Sequence, residues 1–269
     1  MLTASQPRRR PSRRQRSLRQ EYEEFLLERI EEFKQQLSRE ELLAIADEAV
    51  YELEVDTREQ LVLTEVLVLE HVDRLISRRL NLPSFRRWKD KHRKLRHAQQ
   101  EPTHWGLDSD TPLAGLAEEL DGEGDALVVG VAAAPAAYFL SAHEWPVVFI
   151  DQELAVVESV ETRAAAEALA SRFHALVVGL GTWFPPVHPA LTVLDPVTLS
   201  RLDAPARGKF LDTLIAATRR GGVHFVLPAH RSPNELTLGP ETLTSHYTGW
   251  HVERGHSRAG LRWILAVKG

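Results

Sequence analysis

From Thr111 onward the chain alternates short apolar runs with helix-length segments, and this constrains its fold more than any other feature. The runs Ala126–Val131, Pro146–Asp151, His174–Leu180, Ala190–Asp195 and Gly222–Leu227 are continuously apolar rather than alternating apolar with polar. A strand that is apolar on both faces must be covered on both faces, which predicts a mostly parallel sheet between two helical layers. Helices are expected over 134–143, 153–171 and 204–220, with a short one at Pro112–Glu119 ahead of the first strand. The last two runs, Gly249–Arg254 and Leu261–Val267, are joined by only GHSRAG. That is too short for a helical crossover, so these two strands are expected to be antiparallel neighbours.

The segment Ala126–Asp151 (ALVVGVAAAPAAYFLSAHEWPVVFID) reads as strand, tight turn, helix, strand, and it ends on an acid. Asp151 lies 21 positions beyond Gly130. A β-α-β unit that holds an adenosine ribose carries a carboxylate at about that distance. The turn itself departs from nucleotide-binding turns, with Ala132 and Ala134 where two more glycines are usual. At positive φ each alanine would cost about 1 kcal/mol or more; at negative φ only room is lost. Pro135 suits the first turn of the following helix, whose N-terminus would face a ligand.

Residues 20–100 read as helices throughout. Glu21–Gln36 sets Tyr22, Phe25, Leu26, Ile30 and Phe33 at helical spacing. Ser38 and Glu41 fit a capping box for Glu40–Val55. A third helix over 58–80 carries Leu61, Val62, Val66, Leu69, Val72 and Ile76 until Pro83 breaks it. The fourth, Phe85–Gln99, holds seven Lys/Arg together with Phe85, Trp88 and Leu95. It either docks on phosphate or packs its apolar residues inward and solvates its charges, and the second reading is preferred. Residues 1–19 hold seven Arg and no acid, which predicts a disordered tail. The domain organisation expected is therefore a tail (1–19), a helical N-terminal domain (20–100), a linker (101–110) and an α/β domain (111–269).

Composition narrows the function. The absence of cysteine removes disulfides, thiolate metal sites and a cysteine nucleophile, and fits a cytoplasmic protein. No apolar run approaches the ~20 residues of a membrane span, and no apolar stretch follows the Arg-rich start as in a secretory signal. Residues 1–100 carry 21 Lys+Arg against 18 Asp+Glu, whereas 101–269 carry 12 against 20. The acidic second part is a poor partner for nucleic acid, which leaves the Arg-rich tail as a possible but not favoured contact. His224, His230, His246, His251 and His256 are spread over strands and loops without the helical i, i+4 spacing of a zinc motif, so no metal site is expected.

Residues 111–269 resemble the class I S-adenosylmethionine-dependent methyltransferases. LVVGVAAAP is similar to a weakened form of that family's glycine-rich first motif, and VVFID to its second strand. TVLDP is similar to the fourth strand, RGKFLDTLIAATRRGGVHFVLP to the helix, Gly-Gly and fifth strand, and GWHVERGHSRAGLRWILAVKG to the closing hairpin. The resemblance implies a Rossmann-like methyltransferase sheet, S-adenosylmethionine as cofactor and a methyl acceptor that is expected to be a small molecule. It places Gly130, Ala132, Ala134, Asp151, Gly181 and Asp195 around the cofactor, with Asp151 on the ribose hydroxyls.

In open α/β sheets ligands sit beyond the carboxyl ends of the strands, which brings Asp195 and His230 forward as candidate catalytic groups. Asp195 either orients or deprotonates the acceptor, or is a strand-end carboxylate in a turn before Pro196. His230 is a candidate base or a solvated loop histidine. Trp183, Phe184 and His188 are candidates for the pocket wall and Trp105 for a lid; each is equally a packing residue. The alternative to an enzyme is a non-catalytic protein that keeps this fold for scaffolding or partner binding.

Overall fold

The computed structural model describes residues 17–56, 65–120, 124–228, 240–257 and 260–269. It divides into two compact units, Met1–Lys94 and Leu95–Gly269.

The first unit is helical. It contains α1 (Leu18–Gln36), α2 (Arg39–Asp56), α3 (Glu65–Arg79) and most of α4 (Phe85–Gln99). Ser17 opens α1 by a capping box: the Gln20 amide donates to its hydroxyl at 3.2 Å and its own amide donates to the Gln20 side chain at 2.9 Å. Residues 17–19, expected in the tail, are thereby drawn into ordered structure, while the disorder expected for 1–16 lies outside the described residues. Ser38 and Glu41 make the same reciprocal pair ahead of α2. The core is built from Ile30, Ile45, Ala49, Val72, Leu75 and Ile76.

On α3 the buried stripe is His71, Val72, Leu75 and Ile76, at i, i+1, i+4, i+5. Val66 and Leu69, expected on that stripe, are 63% and 55% exposed because they fall to its side. Leu61 and Val62 lie outside the described residues. Phe85 and Trp88 of α4 pack on Tyr22, with ring centroids 5.4 Å away in both pairs, and the Tyr22 hydroxyl donates to the Pro83 carbonyl at 2.9 Å.

The second unit is the α/β domain. It runs α5 (Pro112–Glu119), β1 (Asp125–Val129), α6 (Ala134–Ala142), β2 (Val147–Asp151), α7 (Leu154–Ala166), β3 (Phe173–Val177), β4 (Pro189–Leu194), α8 (Pro196–Ser200), α9 (Ala204–Ala217), β5 (Val223–Val226), α10 (Pro240–Thr244), β6 (His251–His256) and β7 (Arg262–Val267). The sheet order is β3-β2-β1-β4-β5-β7-β6. β1 to β5 are all parallel, and β7 inserts antiparallel between β5 and β6.

The sequence explains this arrangement strand by strand. β4 and β5 are buried at every position, as continuous apolar runs require at the centre of a covered sheet. Successive residues of β1 serve opposite layers: Ala126 and Val128 join the core that includes α5 and α6, and Leu127 and Val129 join the core that includes α9. The outer strand β6 (HVERGH) is largely exposed and bears charge, which protects a free sheet edge from further pairing.

Two expectations are corrected in detail. The segment 101–110 is not a bare linker: Pro102–Trp105 form a 3₁₀ turn, Trp105 is 5% exposed, and its indole N–H donates to the Gln99 carbonyl at 2.7 Å. Trp105 is thus a core residue and no lid. The helix expected over 153–171 ends at Ala166, where Ala168 takes φ 56° and the Leu169 amide bonds back to the Ala164 carbonyl at 2.8 Å. A residue other than glycine closes the helix in the left-handed conformation, so the sequence lacks the usual stop signal. No helix among the described residues is long and apolar enough to cross a membrane.

Candidate functional site

The sheet order reverses beside β1: the chain goes outward through β2 and β3, then returns to place β4 on the other side. Ligands of open α/β sheets bind at such a switch, beyond the carboxyl ends of the strands. Three of the residues read from the sequence meet there: Gly130 after β1, Asp151 closing β2 and Asp195 after β4.

Gly130 has φ 93° and ψ 153°, a conformation essentially restricted to glycine. A Cβ at this position would lie 2.4 Å from the Thr198 hydroxyl oxygen and 2.7 Å from the Asp195 Cβ. The glycine therefore admits the β4 turn. Val131–Ala133 then form a 3₁₀ turn that runs directly into α6.

Neither Ala132 nor Ala134 is among the residues with positive φ. The added methyls therefore bring no backbone strain. Ala134 is 7% exposed and its methyl belongs to the core under α6, while Ala132 sits exposed at the lip.

Asp195 is 1% exposed and its carboxylate is engaged on both oxygens. One accepts from the Val197 amide at 2.8 Å, capping α8; the other accepts from the Thr198 hydroxyl at 2.8 Å and from the Ala132 amide at 3.3 Å. The last of these ties the turn after β1 to the turn after β4. Thr198, the residue that completes the tie, was missed by sequence reasoning. The available signal was Asp-Pro-Val-Thr, an N-cap followed by proline at the first helical position. Replacing Asp195 by Ala is expected to cost about 2–3 kcal/mol, because it leaves a buried hydroxyl and two amides without an acceptor. Urea unfolding of that variant beside Thr198→Val checks it, the latter removing one of the three bonds.

Asp151 is 5% exposed, and its Oδ1 accepts from the Glu153 amide at 3.0 Å. Burial pushes its carboxyl pKa up; the backbone amides of Glu153 and Gln152 pull it back, and the negative charges of Glu153 and Asp195 add to the rise. The crevice mouth is therefore acidic, suited to a ligand that brings hydroxyl donors or positive charge.

Gly181 has φ 86°, and a Cβ there would come 2.6 Å from the Ala206 carbonyl, so this glycine lets the loop after β3 pass the start of α9. Trp183 in that loop is 53% exposed, whereas Phe184 packs on Phe210 with ring centroids 6.2 Å apart. His188 precedes β4, at the amino end of that strand and so opposite the crevice, and is not part of it. His230 lies outside the described residues.

The strand order β3-β2-β1-β4-β5-β7-β6, with β7 antiparallel, is the mostly parallel sheet with a closing hairpin expected from the sequence. No protein-family model matches the chain, and no curated protein matches it. Among solved structures, the glycopeptide N-methyltransferase MtfA complexed with S-adenosyl-L-methionine aligns over 55% of this chain and 88% of its own, at 13% identity and a TM-score of 0.44. The N-methyltransferase NodS from Bradyrhizobium japonicum aligns over 59% of this chain and 98% of its own, at 14% identity and a TM-score of 0.44. An O-methyltransferase family protein from Burkholderia thailandensis aligns over 58% of this chain and 55% of its own, at 12% identity and a TM-score of 0.47. Within the α/β domain, the crevice between β1 and β4 lies at the switch point of the strand order.

Proposed function

We propose that the α/β domain is an S-adenosylmethionine-dependent methyltransferase acting on a small-molecule acceptor, in the cytoplasm. The observation that supports this most is Asp151. It stands at the tip of β2 beside the switch crevice, and one of its oxygens is braced by the Glu153 amide in a way that fixes the carboxylate. A fixed carboxylate there matches the two hydroxyls of a ribose. The turn residues fit as well: Ala132 and Ala134 hold negative φ, and the N-terminus of α6 follows directly.

The cofactor would supply an activated methyl group, so the chain's own task is alignment and exclusion of water. Asp151 would hold the ribose, and Gly130 and Ala132 would shape the adjacent turn. Asp195 acts as a positioning residue, since its lone pairs face Val197, Thr198 and Ala132. Gly181 serves the loop after β3 through its backbone. His230 remains the proposed base. The acidic balance of residues 101–269 favours a small acceptor over a polyanion.

A second reading, a non-catalytic scaffold, is favoured by one observation: the Ala132 amide, which a ligand would otherwise approach, donates to Asp195. Calorimetric titration with S-adenosylhomocysteine separates the two. The methyltransferase reading expects binding that Asp151→Ala weakens by about 10- to 100-fold, the worth of charged hydrogen bonds at ~1.5–3 kcal/mol. Absence of heat at millimolar ligand in the folded wild-type protein would overturn the methyltransferase reading.

A further inference from the structure

We propose that α4 is a docking surface for the phosphate backbone of nucleic acid, independently of methyl transfer. The helix carries Arg86, Arg87, Lys89, Lys91, Arg93, Lys94 and Arg96 against one acid, Asp90. Trp88 turns inward, 9% exposed, while Arg86, Arg87, Lys91, Arg93 and Lys94 are exposed. Arg87, Lys91 and Lys94 follow one another at i, i+4 and i+7, which sets neighbouring cations about 5–6 Å apart along one row. Arg86 and Arg93 flank Asp90 in the adjacent row.

The distribution of ion pairs is what separates this face from an ordinary solvated one. On α1, α2 and α3 the cations are held by nearby acids: Arg19–Glu23, Arg29–Glu32, Lys34 with Glu31 and Asp73, Arg78–Glu52, Arg79–Glu48 and Arg74–Glu70. None of Arg86, Arg87, Lys89, Lys91, Arg93 and Lys94 has an ion pair among the described residues, whereas His92 of the same helix pairs with Glu21. The charges of these six cations are therefore not neutralised by direct ion pairs among the described residues.

The start of α1 packs beside the start of α4, with the Arg19 guanidinium 5.2 Å from the Phe85 ring centroid.

The chemistry selects the partner. Rows of Arg and Lys match a phosphodiester chain, and Arg pairs phosphate bidentately. The exposed large hydrophobics of this unit, Leu27, Leu43, Tyr51, Val66, Leu67 and Leu69, lie on α1 to α3 and none on α4. Without an apolar strip α4 has nothing to sink into a bilayer, and without an exposed aromatic it has nothing to stack on bases. Contact is thus with backbone phosphates and independent of sequence.

The test is fluorescence anisotropy with a short DNA duplex and a single-stranded RNA of matched length, across a salt series, using the full chain. Wild type is expected to bind with a salt-dependent constant. The triple substitution R87Q/K91Q/K94Q, which keeps good helix formers, is expected to weaken duplex binding at least about tenfold and to flatten the log–log salt slope by about 3, one phosphate contact per residue. Circular dichroism verifies that the triple variant is folded. The titration with S-adenosylhomocysteine should be unchanged in that variant, which keeps this proposal separate from the one on methyl transfer. Absence of wild-type binding at low salt, an unaltered slope in the folded triple variant, or tighter binding to phosphatidylserine vesicles than to nucleic acid would each overturn it.

Discussion

Gly130→Ala is expected to destabilise the α/β domain by about 4 kcal/mol, the sum of backbone strain and overpacking at ~1–3 kcal/mol each. Two independent features converge on this residue. Its φ of 93° excludes a side chain on conformational grounds, and the space a methyl would need is held by Thr198 and Asp195 at 2.4 Å and 2.7 Å. Neither neighbour is free to move. Both are bound to each other, and Asp195 also caps α8 and holds the Ala132 amide.

For a domain of this size the loss corresponds to a fall in melting temperature of about 10 °C. Gly208→Ala is the matched control. It lies inside α9, and a Cβ there meets nothing within 4 Å. That change should instead stabilise by about 0.5–1 kcal/mol, the propensity difference between the two residues. Thermal melts of both variants followed by circular dichroism measure the contrast. Similar melting temperatures for the two would show that the tie between the β1 and β4 turns is not rigid.

The second large effect is on pH dependence and comes from His224, far from the crevice. This residue sits near the start of β5, is wholly buried, and bridges Thr218 and Tyr247 at 2.7 Å and 3.2 Å. The Thr218 hydroxyl already donates to the Leu214 carbonyl at 2.7 Å, so it accepts from His224 Nε2–H. Nδ1 then accepts from the Tyr247 hydroxyl, and the ring is neutral with its proton on Nε2. Burial, aided by the nearby Lys268 charge, pulls the His224 pKa down to about 3 from 6.5. Burial raises that of Tyr247.

Between those two pH values the unfolded chain binds a proton that the folded chain refuses. Stability is therefore full above pH 6.5 and falls as the pH drops toward 3, by about 1.4 kcal/mol per pH unit from this group. Urea unfolding at a series of pH values should show the slope. His224→Gln keeps an amide donor and a carbonyl acceptor without a titrating ring, and should remove that part of the slope. An identical slope in the Gln variant would assign acid sensitivity to other groups.

How much of this was legible beforehand differs between the two parts of the site. The place of Asp151 at the tip of β2 was legible by counting from Gly130, because the length of a β-α-β unit is fixed by one helix and one turn. The antiparallel ending was found because six residues cannot hold a crossover helix. Thr198 was missed since its partner across the sheet, Gly130, lies 68 positions earlier, and nothing local in either segment announces the other. The Ala132 and Ala134 question turned on φ, which sequence does not print. The turn after Gly130 could have continued left-handed; instead it winds as 3₁₀ into α6, and the alanines fit without strain. Val66 and Leu69 were assigned to the wrong stripe of α3 because apolar residues there outnumber the positions that one helix face can bury.

The sequence by itself determined the layers and the direction of the strands, because continuous apolar runs and connection lengths are local properties. It also set the charge contrast between the basic α4 and the acidic domain. Only the tertiary structure decided what those residues touch. It made Asp195 the clasp between two turns, made Trp105 core, and left Arg86, Arg87, Lys89, Lys91, Arg93 and Lys94 of α4 without an ion pair among the described residues. The physical reason is that burial and hydrogen bonding are properties of neighbours in space, and a parallel sheet makes neighbours of segments that the chain keeps far apart.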